Sequence, residues 1–230
     1  MFTDENKTSS VLKTLGKKIG DIITFVGNPQ SYCIGMVDMV NSTKITAGIY
    51  HEKVSSLYAI FLNSMALIVE QFEGKIIKNI GDSLLFYFPK TKAQNRGELE
   101  KVLFCGKVML QTRYLLNETL KTNNLSPIRY RITIDYGLTL MADSATSFNK
   151  DLFGSPVNIC FKMKSLTEPN TMSIGFDLYQ LVRDSKNFKF REQGVCDLGQ
   201  TKGYPIYGVE SNIDRKESSN LTISLTKKVD

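Results

Sequence analysis

Apolar residues recur along this chain in several distinct rhythms. Ser31–Asp38 (SYCIGMVD) is a nearly continuous apolar run that closes on a carboxylate, the pattern of a strand covered on both faces. From Tyr50 to Phe72 the period becomes helical, with Val54, Leu57, Tyr58, Phe61, Met65, Ile68 and Phe72 on one face and Gly74 as the stop. Lys75–Ile80 and Ser83–Phe88 read as two short strands joined at Gly81–Asp82. A glycine opening a two-residue connection supplies the positive φ of a type II′ hairpin turn. Gln94–Thr122 is a second helix, with Leu99, Val102, Leu103, Met109, Leu110, Leu116 and Leu120 as its apolar positions. Ile128–Tyr136 (IRYRITIDY) alternates apolar and polar residues, as a half-buried strand does. A polar loop over Asp143–Asn149 and the segment Asp151–Gly154 then lead to a helix over Pro156–Leu166, entered at proline. Thr171–Ile174 reads as a short strand and Phe176–Arg183 as a short helix. Leu198–Glu210 reads as a closing hairpin with Lys202–Gly203 at its turn.

The order strand, helix, hairpin, helix, strand is the βαββαβ plan of a ferredoxin-like α+β fold, extended at its C-terminus by a smaller α/β unit. In that plan the first strand lies antiparallel beside the third. Asp38, at the end of one, should therefore face Asp82, at the hairpin tip that begins the other. Two carboxylates at one sheet end suit a hard, oxygen-liganded cation such as Mg²⁺. Val40, Asn41, Ser42 and Thr43 follow Asp38 directly, and Asn, Ser and Thr are good helix-entry residues. A helix entry after a strand is also a natural place for phosphate. The hairpin taken alone leaves open that Asp82 is an ordinary turn former.

Composition narrows the classes. The 230 residues carry a net charge of +6 with a pI near 9.0, which favours anionic partners. The basic residues are scattered and not interleaved with aromatics, which argues against a nucleic-acid interface. Cys33, Cys105, Cys160 and Cys196 form no CxxC pair and read as buried thiols of a reducing compartment. The single histidine, His51, argues against a His-based zinc site or a Ser-His-Asp triad. No signal-like segment and no apolar run near the ~20 residues of a bilayer span is evident, so the expectation is a cytoplasmic protein with no membrane span. Residues 1–30 form an N-terminal extension. Its polar start should fray, and Val11–Ile23 suits an amphipathic helix that packs on the domain or serves as a partner or membrane-surface contact. Residues 31–210 form one domain, and 211–230 a polar tail.

Four segments, in order, resemble the catalytic domain of class III nucleotidyl cyclases, the adenylate and guanylate cyclases. VDMVNST (37–43) is similar to the family's first metal motif, and IIKNIGDSLLFYF (76–88) to its Lys–Thr–Ile–Gly–Asp hairpin. DLFGSPVNICFKM (151–163) resembles the aspartate, glycine turn and Val–Asn–x–x–x–Arg helix, and TKGYPIYGV (201–209) the closing Lys–Gly hairpin. The resemblance spans about residues 31–210.

The resemblance implies a role for each matched position. Asp38 and Asp82 hold two Mg²⁺ or Mn²⁺ ions. The backbone around Val40, Asn41, Ser42 and Thr43 meets the β- and γ-phosphates. Lys78 and Asp151 read the base edge, in the combination typical of adenine. Asn158 orients the ribose, Lys162 stabilises the transition state, and Lys202 binds the triphosphate. It further implies ATP as substrate, cyclic AMP as product, and a head-to-tail homodimer that shares residues between two sites. Two departures stand out. Lys162 replaces an arginine and cannot make its bidentate fork to phosphate; Asn41 stands where glycine is frequent. A degenerate nucleotide-binding domain without turnover, or a cyclase for GTP or a pyrimidine nucleotide, are the alternatives. A diguanylate cyclase or polymerase palm shares the core, but its hairpin usually carries adjacent acidic residues where this one reads Gly81–Asp82–Ser83.

Overall fold

The computed structural model describes residues 4–18, 23–144, 147–199 and 203–212. Helix α1 (Asp4–Lys18) precedes β1 (Ile23–Met39), the short α2 (Ser42–Thr46) and α3 (His51–Gln71). The hairpin β2 (Lys75–Ile80) and β3 (Ser83–Phe88) follows, then α4 (Arg96–Thr122) and β4 (Tyr130–Ser144). The chain continues through β5 (Ser147–Gly154), α5 (Ser155–Met163), β6 (Met172–Gly175), α6 (Phe176–Val182), β7 (Phe188–Cys196) and β8 (Tyr204–Ser211). One sheet runs in the order β2-β3-β1-β4-β6-β8-β7, with β5 paired to β4. Its first four strands are the ferredoxin-like core. The C-terminal extension continues the same sheet, because β6 adds parallel to β4 and β8 antiparallel to β6.

The two faces of the sheet are covered differently. α3 lays Leu57, Phe61, Met65 and Val69 against one face, and α4 adds Leu99, Val102, Leu103 and Met109. α5 covers a smaller cluster on the opposite face, where Ile34, Met36, Ile77 and Leu85 meet Leu152, Val157 and Cys160. The four cysteines are free and buried. β1 is therefore apolar in its second half because both of its faces are covered there.

Several expectations give way to longer elements. α1 already begins at Asp4 rather than after a frayed start, and its Val11 and Leu12 are exposed instead of packed on the domain. β1 begins eight residues before Ser31. Its first half pairs with the far end of β4 through a bulge between Val26 and Gln30. The expected polar loop over Asp143–Asn149 is instead the junction of β4 and β5, an antiparallel arm. β7 has no counterpart among the expected elements, and the closing hairpin is β7–β8. Gly74 does not supply the left-handed turn after α3; Glu73 does, at φ 62°. Gly74 is needed for close approach, since a Cβ there would lie 2.5 Å from Val69 and 3.0 Å from Phe88. Finally, α3 has the length and hydropathy of a membrane-crossing helix, contrary to the expectation that nothing in the chain comes near this. Few charges interrupt its 21 residues, but in this fold one stripe of the helix lines the core.

Candidate active site

The topology brings Asp38 to the hairpin tip. β1 and β3 pair antiparallel with Asp38 opposite Ser83, one residue from the Gly81–Asp82 turn. Gly81 has φ 61°, and Asp82 is not among the positive-φ residues, as a type II′ turn requires. Asp38 is 3% exposed. Ser83 Oγ donates to its Oδ1 at 2.7 Å, and Lys164 Nζ to the same oxygen at 2.9 Å. Arg131 Nε lies 3.7 Å from Oδ2, and this buried nitrogen has no hydrogen-bond partner. Asp82 is half-buried and makes no hydrogen bond or ion pair among the described residues. The two carboxylates thus offer oxygen donors only, which suits a hard divalent cation. No cluster of three or more Asp, Glu, His or Cys side chains backs them among the described residues, so an ion here would need further oxygens from substrate or water.

The turn after Asp38 is tight. Asn41 adopts the left-handed conformation at φ 58° and leads into α2 without a side-chain cap. The Val40 N–H donates to the Arg129 carbonyl at 2.8 Å, so that donor is already committed. The backbone of Asn41, Ser42 and Thr43 is the part of this turn left to meet an anion.

Lys78 and Asp151, 73 residues apart, form an ion pair. A bulge in β2 aims the lysine. Pairing steps from Ile76 opposite Phe86 to Lys78 opposite Leu85, so Ile77 is the extra residue. Directly paired residues share a face of the sheet. Without the bulge Lys78 would sit opposite Leu84, beneath α3 and α4. With it, Lys78 shares the α5 face with Leu85 and reaches β5. Asp151 is fixed in turn by the Leu152 N–H, which donates to Oδ1 at 2.9 Å. Beside the pair opens a cavity of about 380 Å³, whose wall includes Lys78, Ile77, Asn79, Tyr87, Met141 and Leu152. Burial, with Tyr32 alongside, raises the Tyr87 hydroxyl above its ordinary pKa.

Asn158 and Lys162 lie one turn apart on the exposed side of α5. Lys162 Nζ donates to the Asp197 carbonyl at 2.7 Å. Neither residue forms a hydrogen bond or ion pair with Asp38, Asp82, Lys78 or Asp151 among the described residues. Lys202 lies outside the described residues.

Three charged residues near these positions belong to no motif that the sequence offers. Arg131 and Lys164 both converge on Asp38. Arg131 Nη1 also binds the carbonyls of Lys164 at 2.6 Å and Thr167 at 3.3 Å, tying the end of α5 to β4. Asp135 is fully buried in β4 beneath α6. Burial pushes its carboxyl up to about 7, although Tyr204 Oη lies 2.9 and 3.1 Å from its oxygens and the Leu178 N–H at 3.4 Å. Asp135 stands at a polar position of the alternating strand, with Arg131 and Thr133, so the pattern by itself gives no signal that it is buried.

Comparison with known proteins identifies the family. The profile of the adenylate and guanylate cyclase catalytic domain matches residues 27–211, and the chain belongs to that family. A cytidylate cyclase from Staphylococcus aureus is 29% identical over 130 residues, which cover 53% of this chain and 30% of that protein. The chain therefore spans less than a third of that relative. Among solved structures, the adenylyl cyclase CyaB from P. aeruginosa superposes with a TM-score of 0.72 at 20% identity, covering 82% of this chain and 97% of its own. The guanylyl cyclase Cya2 does so at 0.70 and 20%, covering 80% and 93%. At that identity the structural likeness speaks for the fold.

Proposed function

We propose that this domain converts ATP to 3′,5′-cyclic AMP and pyrophosphate at sites shared between two copies of the chain. The observation that carries the choice of an amine-bearing base is the Lys78–Asp151 pair beside a cavity. An ammonium donates to a ring nitrogen while a carboxylate accepts from an exocyclic amine, and adenine presents that edge. Guanine and uracil present a carbonyl and an N–H in those places and leave both partners mismatched. ATP as substrate carries with it a cytoplasmic setting, and no membrane span belongs to the proposal.

The reaction is an in-line displacement. The ribose 3′-oxygen bonds to the α-phosphorus, the bond from that phosphorus to the pyrophosphate oxygen breaks, and the 3′-hydroxyl proton leaves to solvent. Divalent ions, Mg²⁺ or Mn²⁺, at Asp38 and Asp82 would supply Lewis-acid activation and charge neutralisation. Asp38 is held in one orientation by Ser83, while Asp82 is unencumbered at the rigid turn. Asn41, Ser42 and Thr43 present backbone to the outer phosphates, and Lys202 adds a cation there. Asn158 orients the ribose, and Lys162 places positive charge beside the phosphoryl oxygens as charge grows on them. Asn158 and Lys162 are exposed on α5 and neither hydrogen-bonds or ion-pairs with Asp38 among the described residues, which leaves them free to serve the partner's site in a head-to-tail homodimer.

A second reading rests on a specific observation. Cytosine presents the same amine and ring-nitrogen edge as adenine, so Lys78 and Asp151 suit CTP equally, and the curated relative is a cytidylate cyclase. The deciding experiment incubates purified dimer with ATP, CTP, GTP or UTP and Mg²⁺ or Mn²⁺, and follows cyclic product and pyrophosphate. Cyclic AMP as the main product is expected; cyclic CMP would favour the second reading. No product from any nucleotide would sink both and leave a binding domain without turnover.

A further inference from the structure

Lys164 is the feature that the proposed chemistry leaves unexplained. It caps the end of α5, two residues beyond Lys162, and sends its ammonium back to Asp38 Oδ1 at 2.9 Å. The contact is built rather than casual. Arg131 grips the Lys164 carbonyl at 2.6 Å and places its own Nε 3.7 Å from the other Asp38 oxygen. The carboxylate is buried, while the Lys164 side chain is 38% exposed and has a path outward. One carboxylate thus faces two cations before any metal arrives. A divalent ion approaching Asp38 meets an oxygen already engaged and a like charge at contact distance.

We propose that Lys164 is the resident counter-cation of Asp38, which a divalent ion must displace, so that metal binding is weak until a nucleotide brings its own negative charge. The proposal rests on Asp38 being a metal ligand. When the ion takes Oδ1, the ammonium swings outward, and an incoming triphosphate is the anion that accepts it. Arg131 cannot make this exchange, because its Nε is buried and its Nη1 is clamped to two carbonyls. Metal and nucleotide are then coupled through a lysine that binds neither in the resting chain.

Mn²⁺ binding to the full chain, without nucleotide, tests this by electron paramagnetic resonance of the free ion. Lys164→Met should bind Mn²⁺ about tenfold tighter or more, since a like charge leaves the site. Lys164→Arg should stay within about twofold of the wild type, because the charge is kept. Unchanged or weaker binding by Lys164→Met would overturn the proposal. The wild type offers a second reading that needs no variant. Amine-directed labelling of Lys164, followed by mass spectrometry, should rise on saturation with Mg²⁺; constant labelling would refute the displacement. Asp38→Asn separates this idea from the site on which it rests. If that variant binds Mn²⁺ as the wild type does, Asp38 is no ligand and both ideas fall. If it loses the ion while Lys164→Met changes nothing, only the role of Lys164 falls.

Discussion

Asp38 and the Lys78–Asp151 pair are both charged contacts between distant elements, yet their surroundings make them different devices. The Asp38 side chain is 5% exposed and held by Ser83, Lys164 and Arg131. In the ion pair, the Lys78 and Asp151 side chains are 44% and 27% exposed. Removing one member of a buried constellation strands the others without solvent, so its charges are structural as well as functional. An exposed pair is screened by water and adds little to stability. Lys78 and Asp151 can therefore exchange each other for other polar partners, the proposed base edge among them, at small cost, while Asp38 cannot change partners without a substitute cation. On the proposed function, rigidity belongs at the metal end and exchangeability at the base end.

The hardest test of that contrast is Asp38→Ala. Product formation should fall by at least about 10³-fold, the scale of losing a main electrostatic stabiliser of the transition state. Urea unfolding of the same variant should show a loss of about 3 kcal/mol, because the buried Nε of Arg131 is left without its counter-charge. An inactive variant of unchanged stability would break the structural half of the comparison.

Asp135 extends the buried class to a group with no cation beside it. Burial holds its carboxyl at about 7, against an ordinary value of 3.8. The folded chain keeps a proton that the unfolded chain has lost. Its contribution to stability is complete below about pH 4 and declines as pH rises to about 7. Asp135→Asn should remove that slope and exceed the wild type by about 3 kcal/mol at pH 8, as read from unfolding midpoints across the range. Parallel pH profiles for the two proteins would show that the carboxyl is not held up.

At the exposed pair the balance should reverse. Lys78→Ala should cost less than about 1 kcal/mol of stability. Its kcat/KM for the preferred nucleotide should drop about 10- to 100-fold, with discrimination among the four bases reduced. A large fall in stability with selectivity intact would mean that the pair is structural. The smallest effect is expected at Lys162, whose ammonium rests on the Asp197 carbonyl. Lys162→Arg should leave the rate unchanged or raise it by up to about tenfold, since the guanidinium adds a second donor to the same charge. A marked loss in a steady-state assay would remove Lys162 from the transition-state role.

Much of the core is legible in the residue pattern. The helical stripe that forms α3 and the glycine-opened turn at Gly81–Asp82 are local signals, and local physics fixes them. The pairing of Asp38 with the hairpin tip is legible too, because the βαββαβ order permits few topologies and the observed register of Asp38 with Ser83 is one of them. The β4–β5 arm is not. Its strands, outside the shared core, carry polar residues that read as a loop, and only the pairing of β4 with the first half of β1 and of β5 with β4 makes them strands. β7 is hidden in the same way by its mixed, exposed residues.

By itself, then, the sequence determined the strand and helix order of the ferredoxin-like core, the two carboxylates at one sheet end, and the residue types available for the proposed base and phosphate contacts. Only the tertiary structure decided which way those groups face and what they touch. The bulge at Ile77 turned Lys78 onto the face where Asp151 waits, and the fold of α5 against β4 carried Lys164 and Arg131 onto Asp38. The reason is physical. Periodicity records whether a position is buried, whereas an ion pair between residues far apart in the chain depends on register, bulges and packing that no short stretch of sequence contains.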